Sequence, residues 1–146
     1  MAPKKFKSIS LLLILVLLNG GIFSSVSAQN ENGEIVKYIF QKIETGLNKG
    51  NVDAFRYYLN AKVYLSLADN VSGYYTANHS FYVLEDYFDL YSPKGFKFDY
   101  VSVTSETPFA YGTYSYSKSG ISGVWKVYIS LEKNDHQWKI TQITFN

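Results

Sequence analysis

Asp99 is the residue whose position best suits acid–base chemistry. It lies in an alternating run, residues 96–104, on the strand face that carries Val101 and Val103. If that face points inward, desolvation raises the pKa of the carboxyl group and makes Asp99 a candidate catalytic acid or base. The alternative, which the sequence favours, places Asp99 and Lys97 on the outer, solvated edge near the start of the strand. No spacing fixes a second catalytic partner for Asp99.

Aromatic side chains offer a second kind of site, one for binding. Ala110 and Gly112 share a strand face with two tyrosines, and such small residues leave room that a ligand can fill. The following strand presents aromatic side chains to both sides. Aromatic walls with hydroxyl tips suit sugars, sterol-like rings or peptide segments, although ordinary packing in a sheet explains the same pattern. The candidate ligand-binding residues are Tyr114, Tyr116, Trp125 and Tyr128.

The sequence gives little support for metal binding or for nucleophilic catalysis. His79 and His136 are the two histidines of the chain, and cysteine is absent. Neither histidine has a partner at metal-ligand spacing. The serines do not form a Gly-x-Ser-x-Gly elbow. We therefore expect no metal site and no cofactor.

Residues 1–28 have the three-part layout of a secretory signal peptide. Lys4, Lys5 and Lys7 precede an apolar run over residues 9–18, and small residues lead to Ala28, the expected cleavage point. This ten-residue run, apolar except for Ser10, falls short of the ~20 apolar residues that a membrane-spanning helix needs. The sequence thus predicts an exported protein, periplasmic or secreted, with no membrane contact after cleavage.

The mature chain, residues 29–146, is predicted to be a single domain. Removal of the signal peptide takes away three lysines and no acidic residue, so the formal net charge falls from +2 to −1 with the histidines neutral. Without a basic face, nucleic-acid binding is not expected. Since the chain has no cysteine, a packed apolar core must stabilise the exported domain without disulfides.

Hydrophobic periodicity predicts helices first and strands afterwards. Asn32 and Asn51 are predicted helix N-caps, and Gly50 is predicted to end the first helix in the left-handed conformation. The later segments alternate with a period of two and predict an antiparallel, strongly curved sheet. The predicted helices are residues 32–48, about eight residues from Asn51, and 78–91; the predicted strands are 62–67, 74–76, 96–104, 109–117, 124–132 and 137–145.

Three finer predictions follow from the same spacing. The second helix should bury Val52, Phe55 and Leu59. A turn at residues 92–95 should end the third helix. The alternation that follows should place three aromatic residues on one face of the strand: Phe96, Phe98 and Tyr100.

Several short motifs, taken in order, carry a resemblance. They are Gly-Asn-Val-Asp-Ala-Phe at 50–55, Gly-Tyr-Tyr-Thr at 73–76 before Leu-Glu-Asp-Tyr-Phe at 84–88, and Trp-Lys-Ile-Thr at 138–141. They resemble a family of small exported Bacteroidota proteins that is known only as a domain of unknown function. The order of the elements resembles the nuclear transport factor 2-like superfamily, a cone-shaped α+β roll also described as cystatin-like. The resemblance spans nearly all of the mature chain.

This resemblance implies a fold and leaves the function open. The implied fold is α+β, with N-terminal helices packed in a strongly curved, mainly antiparallel sheet and a cavity at the open end of the cone. In the superfamily that cavity is an active site, a binding pocket or packed core, so fold membership alone does not decide the function. The superfamily also contains isomerases and dehydratases, and homodimers formed through the sheet.

The leading prediction is an exported, non-catalytic domain. It would bind a small molecule or a cell-envelope protein through the cone mouth or the sheet face. The alternative is a small cofactor-free enzyme of the isomerase or dehydratase type that uses a carboxylate in the cone. A homodimer through the sheet is a third expectation.

Overall fold

The computed structural model describes residues 23–146, with side-chain surroundings from residue 30 onward. By the contacts between its residues the chain separates into two units at Asn32, and residues Gly33–Asn146 form one compact unit. Residues 1–22 of the predicted signal peptide (residues 1–28) lie outside the described part of the chain. The signal peptide therefore stays a prediction. Within the described part of the chain, none of the helices combines the length and apolar character needed to cross a membrane.

Residues 23–146 form two α-helices and six strands. The helices are α1 (Phe23–Lys49) and α2 (Ala77–Leu90), and two single 3-10 turns, Val52–Ala54 and Arg56–Tyr58, lie between α1 and the first strand. The strands are β1 (Leu59–Ser66), β2 (Ser72–Thr76), β3 (Ser92–Ser102), β4 (Phe109–Lys118), β5 (Ile121–Asn134) and β6 (Gln137–Phe145).

All six strands belong to one curved sheet with the order β2-β1-β6-β5-β4-β3. Its neighbours are antiparallel except for β1 and β6, which run parallel. The predicted α+β class with a curved, mainly antiparallel sheet is therefore confirmed. We call the face that carries the buried core residues the inner face of the sheet and the opposite face the outer face.

An apolar stripe fixes the position of α1. Its members are buried and recur at helical spacing: Val36, Ile39, Phe40, Ile43 and Leu47. The helix is followed by Gly50 with a φ of 64°, as predicted. Its start was predicted wrongly, because the helix begins at Phe23 and Asn32 lies inside it. Residues 23–31 contain neither proline nor glycine, so nothing local stops the helix from starting earlier.

The predicted second helix is wrong in type. The chain forms two 3-10 turns there, separated by Phe55 at φ −129° and ψ 4°, and Asn51 makes no side-chain cap hydrogen bond. The predicted buried residues Val52, Phe55 and Leu59 are nevertheless buried. A longer helix is prevented because Leu59 already belongs to β1 and pairs with Ile140 of β6.

The second α-helix agrees with its prediction to within one residue at each end. It begins after Thr76, whose hydroxyl oxygen accepts a hydrogen bond from the backbone N–H of His79 at 3.3 Å. The segment from Ser92 to Gly95, predicted to be a turn, is instead the start of β3. Pro93 is tolerated there because β3 is an edge strand of the sheet.

The free edge of β3 is covered by α1. The backbone N–H of Phe96 donates to Asn48 Oδ1 at 2.9 Å, and that of Phe98 donates to Glu44 Oε2 at 2.9 Å. Two side chains of the helix thus satisfy backbone donors that an edge strand would otherwise present to solvent.

A bulge at Asp99 reverses the facing of the second half of β3. Phe98 pairs with Gly112, but Tyr100 already pairs with Tyr111, so Asp99 is the extra residue. Tyr100 therefore lies on the outer face and stacks on Tyr111 at 5.5 Å between ring centroids. The prediction that Phe96, Phe98 and Tyr100 share one face was wrong for Tyr100.

Candidate functional site

On the inner face, Tyr114 is part of the core. It is 0% exposed and packs against the rings of Phe88 and Phe145. Its hydroxyl donates to the backbone carbonyl of Tyr91 at 2.7 Å. Burial raises the pKa of this phenol above its ordinary value. Tyr114 is therefore a packed structural residue and not an open binding wall.

The space predicted beside Ala110 and Gly112 is filled by protein. A Cβ atom at Gly112 would overlap the carbonyl oxygen of Lys97 and the Cα of Phe98. Ala110 is fully buried. The glycine allows β3 and β4 to approach closely at the bulge, so the small residues serve strand packing and leave no room for a ligand between them.

Tyr116 and Trp125 lie next to Tyr114 on the inner face and are half-buried. Their rings stack at 5.4 Å with an interplanar angle of 13°. Tyr91 lies edge-on against both, at 5.0 Å from Tyr116 and 6.1 Å from Trp125. Three of the four predicted ligand-binding residues are thus brought together, but as mutually packed rings.

A polar clasp closes the end of the inner face beside this cluster. Tyr91 Oη donates to Asp69 Oδ2 at 2.7 Å, and Lys118 Nζ donates to the same carboxylate at 3.2 Å and to Tyr91 Oη at 2.8 Å. The hydrogen bonds from Tyr91 and then Lys118 hold the pKa of Asp69 below its ordinary value. The clasp ties the turn between β1 and β2 to the end of α2 and to β4.

Asp99 lies on the outer face. Its Oδ2 accepts hydrogen bonds from Thr113 Oγ1 at 3.0 Å and from Lys126 Nζ at 3.3 Å, and its side chain is 46% exposed. These hydrogen bonds, that of Thr113 first, lower the pKa of its carboxyl group. The inward alternative with a raised pKa is wrong. Asp99 alternates with the buried Phe98 and therefore faces outward, and the bulge that follows puts Val101 on the opposite face from Asp99.

Tyr128, the fourth predicted ligand-binding residue, also lies on the outer face, away from the other three. Its ring stacks on Phe109 at 5.9 Å, and Phe109 in turn contacts Tyr100 at 5.8 Å. With Tyr111 stacked on Tyr100, these four rings form what we call the aromatic platform across β3, β4 and β5.

Beside the platform, the outer face contains a groove of about 510 Å³. The groove forms where β1 bows away from β6: Leu59 pairs with Ile140 and Tyr64 with Gln142, so four residues of β1 lie opposite one of β6. Its lining comes from four strands: Asn60, Lys62, Tyr64, Tyr74, Ser130, Glu132, Thr141 and Gln142.

The lining of the groove is polar with an aromatic end. Neither Lys62 nor Glu132 belongs to the ion pairs found in the described part of the chain. At one end Tyr74 is 75% exposed, and its ring meets that of Tyr64 edge-on at 5.2 Å. The arrangement can hydrogen-bond a ligand from several directions and cover one flat surface of it.

Sequence reasoning did not find this groove. Asn60, Lys62 and Tyr64 alternate with the core residues Val63 and Leu65, which is a signal that they face away from the core. That alternation says nothing about which strand lies beside them, and the groove depends on the irregular pairing with β6.

Metal binding finds no geometric support in the described part of the chain. Residues 23–146 contain no group of three or more histidine, aspartate or glutamate side chains arranged to hold an ion.

The six-stranded curved sheet with helices against its inner face has the nuclear transport factor 2-like fold. A ketosteroid isomerase-like protein from Erwinia carotovora atroseptica has this fold, with 13% identity, a TM-score of 0.64, and coverage of 80% of this chain and 95% of that one. A nuclear transport factor 2-like protein of unknown function from Silicibacter pomeroyi is similar at 11% identity and a TM-score of 0.54, over 80% of this chain and 96% of that one.

The family can be stated more narrowly. Residues 40–146 match the model of the family described as Domain of unknown function (DUF4783), and the chain belongs to that family. A crystal structure of a family member from Bacteroides uniformis is similar at 19% identity and a TM-score of 0.65, covering 73% of this chain and 94% of that one. None of the curated proteins matches the chain.

Proposed function

We propose that this protein is an exported, non-catalytic binding domain whose ligand site is the groove on the outer face of the sheet. The observation that carries the proposal is the opening between β1 and β6, lined by side chains that the core does not use. Ligand sites typically combine such a concave surface with a few convergent polar groups.

The inner face is the less suitable site because its candidate residues pack against one another. Tyr114 is fully buried, and the clasp of Asp69, Tyr91 and Lys118 lies beside Tyr116 and Trp125. A ligand entering there would have to separate stacked rings and break three hydrogen bonds. Binding in the groove requires no such rearrangement.

The alternative, an isomerase- or dehydratase-like enzyme, is less well supported because its candidate residue, Asp99, does not lie inside the cone. It requires a carboxylate inside the cone, yet Asp99 faces solvent, and the hydrogen bonds of Thr113 and Lys126 lower its pKa. Among residues 30–146, the buried polar side chains apart from tyrosine are the hydroxyls of Ser80, Ser130 and Thr144. A hydroxyl of ordinary pKa is a poor general base at neutral pH.

The proposed place of action is the periplasm or the exterior of the cell, where a small-molecule ligand or a cell-envelope protein is within reach. This part of the proposal rests on the signal-peptide pattern of residues 1–28. The similarity to family members from Bacteroides is consistent with a Bacteroidota origin.

The proposal can be tested by protein-observed NMR with a fragment library of neutral, anionic and cationic compounds. We expect the amide shifts to cluster on the residues that line the groove and to be lost in Lys62→Trp, which places a large ring in it. Lys97→Trp is the matched control, since Lys97 is an exposed lysine of β3 at the far edge of the sheet.

Two results would overturn the proposal. One is that the shifts cluster around Tyr116 and Trp125. The other is that Lys62→Trp leaves every shift in place. Sedimentation equilibrium of the same samples tests the homodimer proposal, because a dimer formed through the outer face would cover the groove and compete with the fragments.

A further inference from the structure

We propose that the ligand of the groove is a neutral, hydroxyl-rich chain, an oligosaccharide, that lies across the strands from Tyr74 towards the aromatic platform. This inference rests on the proposed function, since it assumes that the groove is the binding site. Five features of the outer face carry it: the presence of both charge signs in the groove, the supply of uncharged hydrogen-bonding groups, the aromatic ends, the span of the surface and the lack of features that recognise peptides.

The charges in the groove select for a neutral ligand. Lys62 and Glu132 both line it, and neither belongs to the ion pairs found among the described residues. An anionic ligand would meet the carboxylate of Glu132, and a cationic ligand would meet the ammonium group of Lys62. A hydroxyl both donates and accepts, so a ligand rich in hydroxyls forms charge-assisted hydrogen bonds with either residue.

The uncharged lining residues keep free hydrogen-bonding capacity. Gln142 donates one amide hydrogen to Thr144 at 3.1 Å, which leaves its second hydrogen and its carbonyl oxygen. Asn60 accepts one bond from Asn134 at 3.1 Å and keeps its own amide donors. Ser130 is joined to Thr141 only by a long contact of 3.4 Å. These side chains together offer both donors and acceptors, so they can form hydrogen bonds with several neighbouring hydroxyl groups of one ligand.

Aromatic rings lie at both ends of the polar lining. Tyr74 is 75% exposed, and Tyr64 touches it edge-on, which leaves a face of the Tyr74 ring open. On the other side, Tyr128 of the platform lies two residues before Ser130 on the same face of β5. The apolar faces of sugar rings pack on tyrosine rings while hydroxyls at their edges reach polar side chains.

The span of this surface favours an elongated ligand. From β2, which carries Tyr74, to β3, which carries Tyr100, the sheet order gives five interstrand spacings. At ~4.8 Å each, the path along the sheet measures about 24 Å. A chain of several sugar rings would contact the whole path, whereas a single small molecule would fill only the groove.

An extended peptide fits this surface less well. Peptides bind mainly by adding a strand to a sheet edge or by placing apolar side chains in a groove. Three of the four strands that line the groove, β1, β5 and β6, have a strand on both sides. The fourth, β2, is an edge strand, but its free edge lies on the side away from β1 and the groove. None of the eight lining residues is aliphatic. The lining therefore lacks both means of peptide recognition.

The experiment compares four kinds of probe by calorimetry and amide NMR, using protein produced from the full-length chain. The neutral probes are maltohexaose, cellohexaose, xylohexaose and mannohexaose. Hexagalacturonate supplies the anionic probe, a glucosamine hexamer the cationic one, and a hexapeptide of glycine and serine the neutral peptide. We expect at least one neutral hexasaccharide to shift groove amides and the other three kinds of probe to leave them unchanged.

Variants then test the proposed contacts. Tyr74→Ala should lower the affinity for the saccharide by about threefold to tenfold, which is the effect of losing one aromatic contact. Tyr82→Ala is the matched control, because Tyr82 is 53% exposed on α2, outside the groove, and its loss should leave affinity unchanged. Circular dichroism melting of both variants verifies that each is folded.

The results separate this inference from the proposed function. If charged probes or the peptide shift the groove amides and no neutral saccharide does, the inference is overturned and the groove remains the binding site. If no probe shifts these amides, and the fragment library does not either, both fail. Saccharide binding that Tyr74→Ala and Lys62→Trp leave unchanged would place the site elsewhere and also overturn the inference.

Discussion

Tyr111 and Tyr114 lie three residues apart on β4, yet they belong to different regions of the molecule. Tyr114 points to the inner face and is 0% exposed, whereas Tyr111 points to the outer face and is 45% exposed. The first donates a hydrogen bond to the backbone of Tyr91, and the second stacks on Tyr100 in the aromatic platform. The same residue type therefore stabilises the core on one face and is available to a ligand on the other.

This difference explains why aromatic content alone is a poor guide to a binding site. The inner face holds its rings in a closed network in which Phe145 touches Tyr87 and Tyr114. The outer face holds rings whose second surface is open to solvent. We expect substitutions on the inner face to reduce stability, and substitutions on the outer face to reduce binding with little loss of stability.

The largest effect should come from deleting residues 143–146. The deletion removes Ile143 and Phe145, which are buried on the inner face, and the backbone pair between Asn146 and Lys126. Losing two buried apolar side chains costs roughly 5–10 kcal/mol, comparable with the whole stability of a small domain. Circular dichroism should show no cooperative melting. Deletion of Asn146 alone is the control and should preserve a transition; cooperative melting of the longer deletion at the wild-type temperature would contradict the inner-face assignment.

The tyrosine pair gives the next largest effect. Tyr114→Ala should lower the free energy of unfolding by about 3–5 kcal/mol because it empties a fully buried site. Tyr111→Ala should lower it by less than about 1 kcal/mol, since its ring is half exposed. Urea denaturation followed by tyrosine and tryptophan fluorescence measures both values. If both variants lost the same unfolding free energy, the assignment of Tyr114 to the core and of Tyr111 to the exposed face would be contradicted.

A smaller loss of stability is expected from a substitution at Gly112, where β3 and β4 approach each other. Gly112→Ala should destabilise the protein by about 1–3 kcal/mol, because the added methyl group overlaps the backbone of Lys97 and Phe98. Gly33→Ala is the matched control: nothing lies within 4 Å of its Cβ position in α1, so alanine should gain up to about 1 kcal/mol in helix propensity. Thermal melting ranks the variants, and an unchanged melting temperature for Gly112→Ala would argue against the close approach.

The smallest effect concerns the two exposed carboxylates with lowered pKa, Asp69 beside the inner face and Asp99 on the outer face. A carboxyl group with a lowered pKa in the folded state stabilises the protein above its ordinary pKa of about 4. That contribution is lost as pH falls through the lowered folded-state value. The difference in unfolding free energy between wild type and Asp69→Asn, and likewise Asp99→Asn, should stay constant from pH 5 to 8 and shrink below pH 4. A difference that does not vary with pH would show that these ion pairs do not act through the carboxylate charge.

The elements predicted well from the sequence are those whose ends carry local signals. The strand β6 was predicted with its observed ends, and α2 to within one residue, because each has a clear periodicity bounded by turn or capping residues. The buried residues Val52, Phe55 and Leu59 were also found, although their helix was not, because burial follows spacing even where the backbone changes type.

The features that the sequence could not predict depend on contacts between distant residues. The alternation through Phe98 and Tyr100 looks regular, so nothing in the local sequence indicates the bulge at Asp99. The bulge lies where Gly112 of the next strand approaches β3 closely. The groove likewise depends on the parallel pairing of β1 with β6, whose residues Tyr64 and Gln142 are far apart in the sequence. Such pairing is set by the whole sheet and not by either strand alone.

The hydrogen bonds from β3 to Glu44 and Asn48 of α1 also affect how copies of the chain meet one another. They occupy amide donors in the middle of an eleven-residue edge strand, so a strand from a second molecule cannot pair there without first displacing the helix. The opposite edge of the sheet, β2, is only five residues long. The longer edge of the sheet is thereby shielded from edge-to-edge pairing with other copies of the chain.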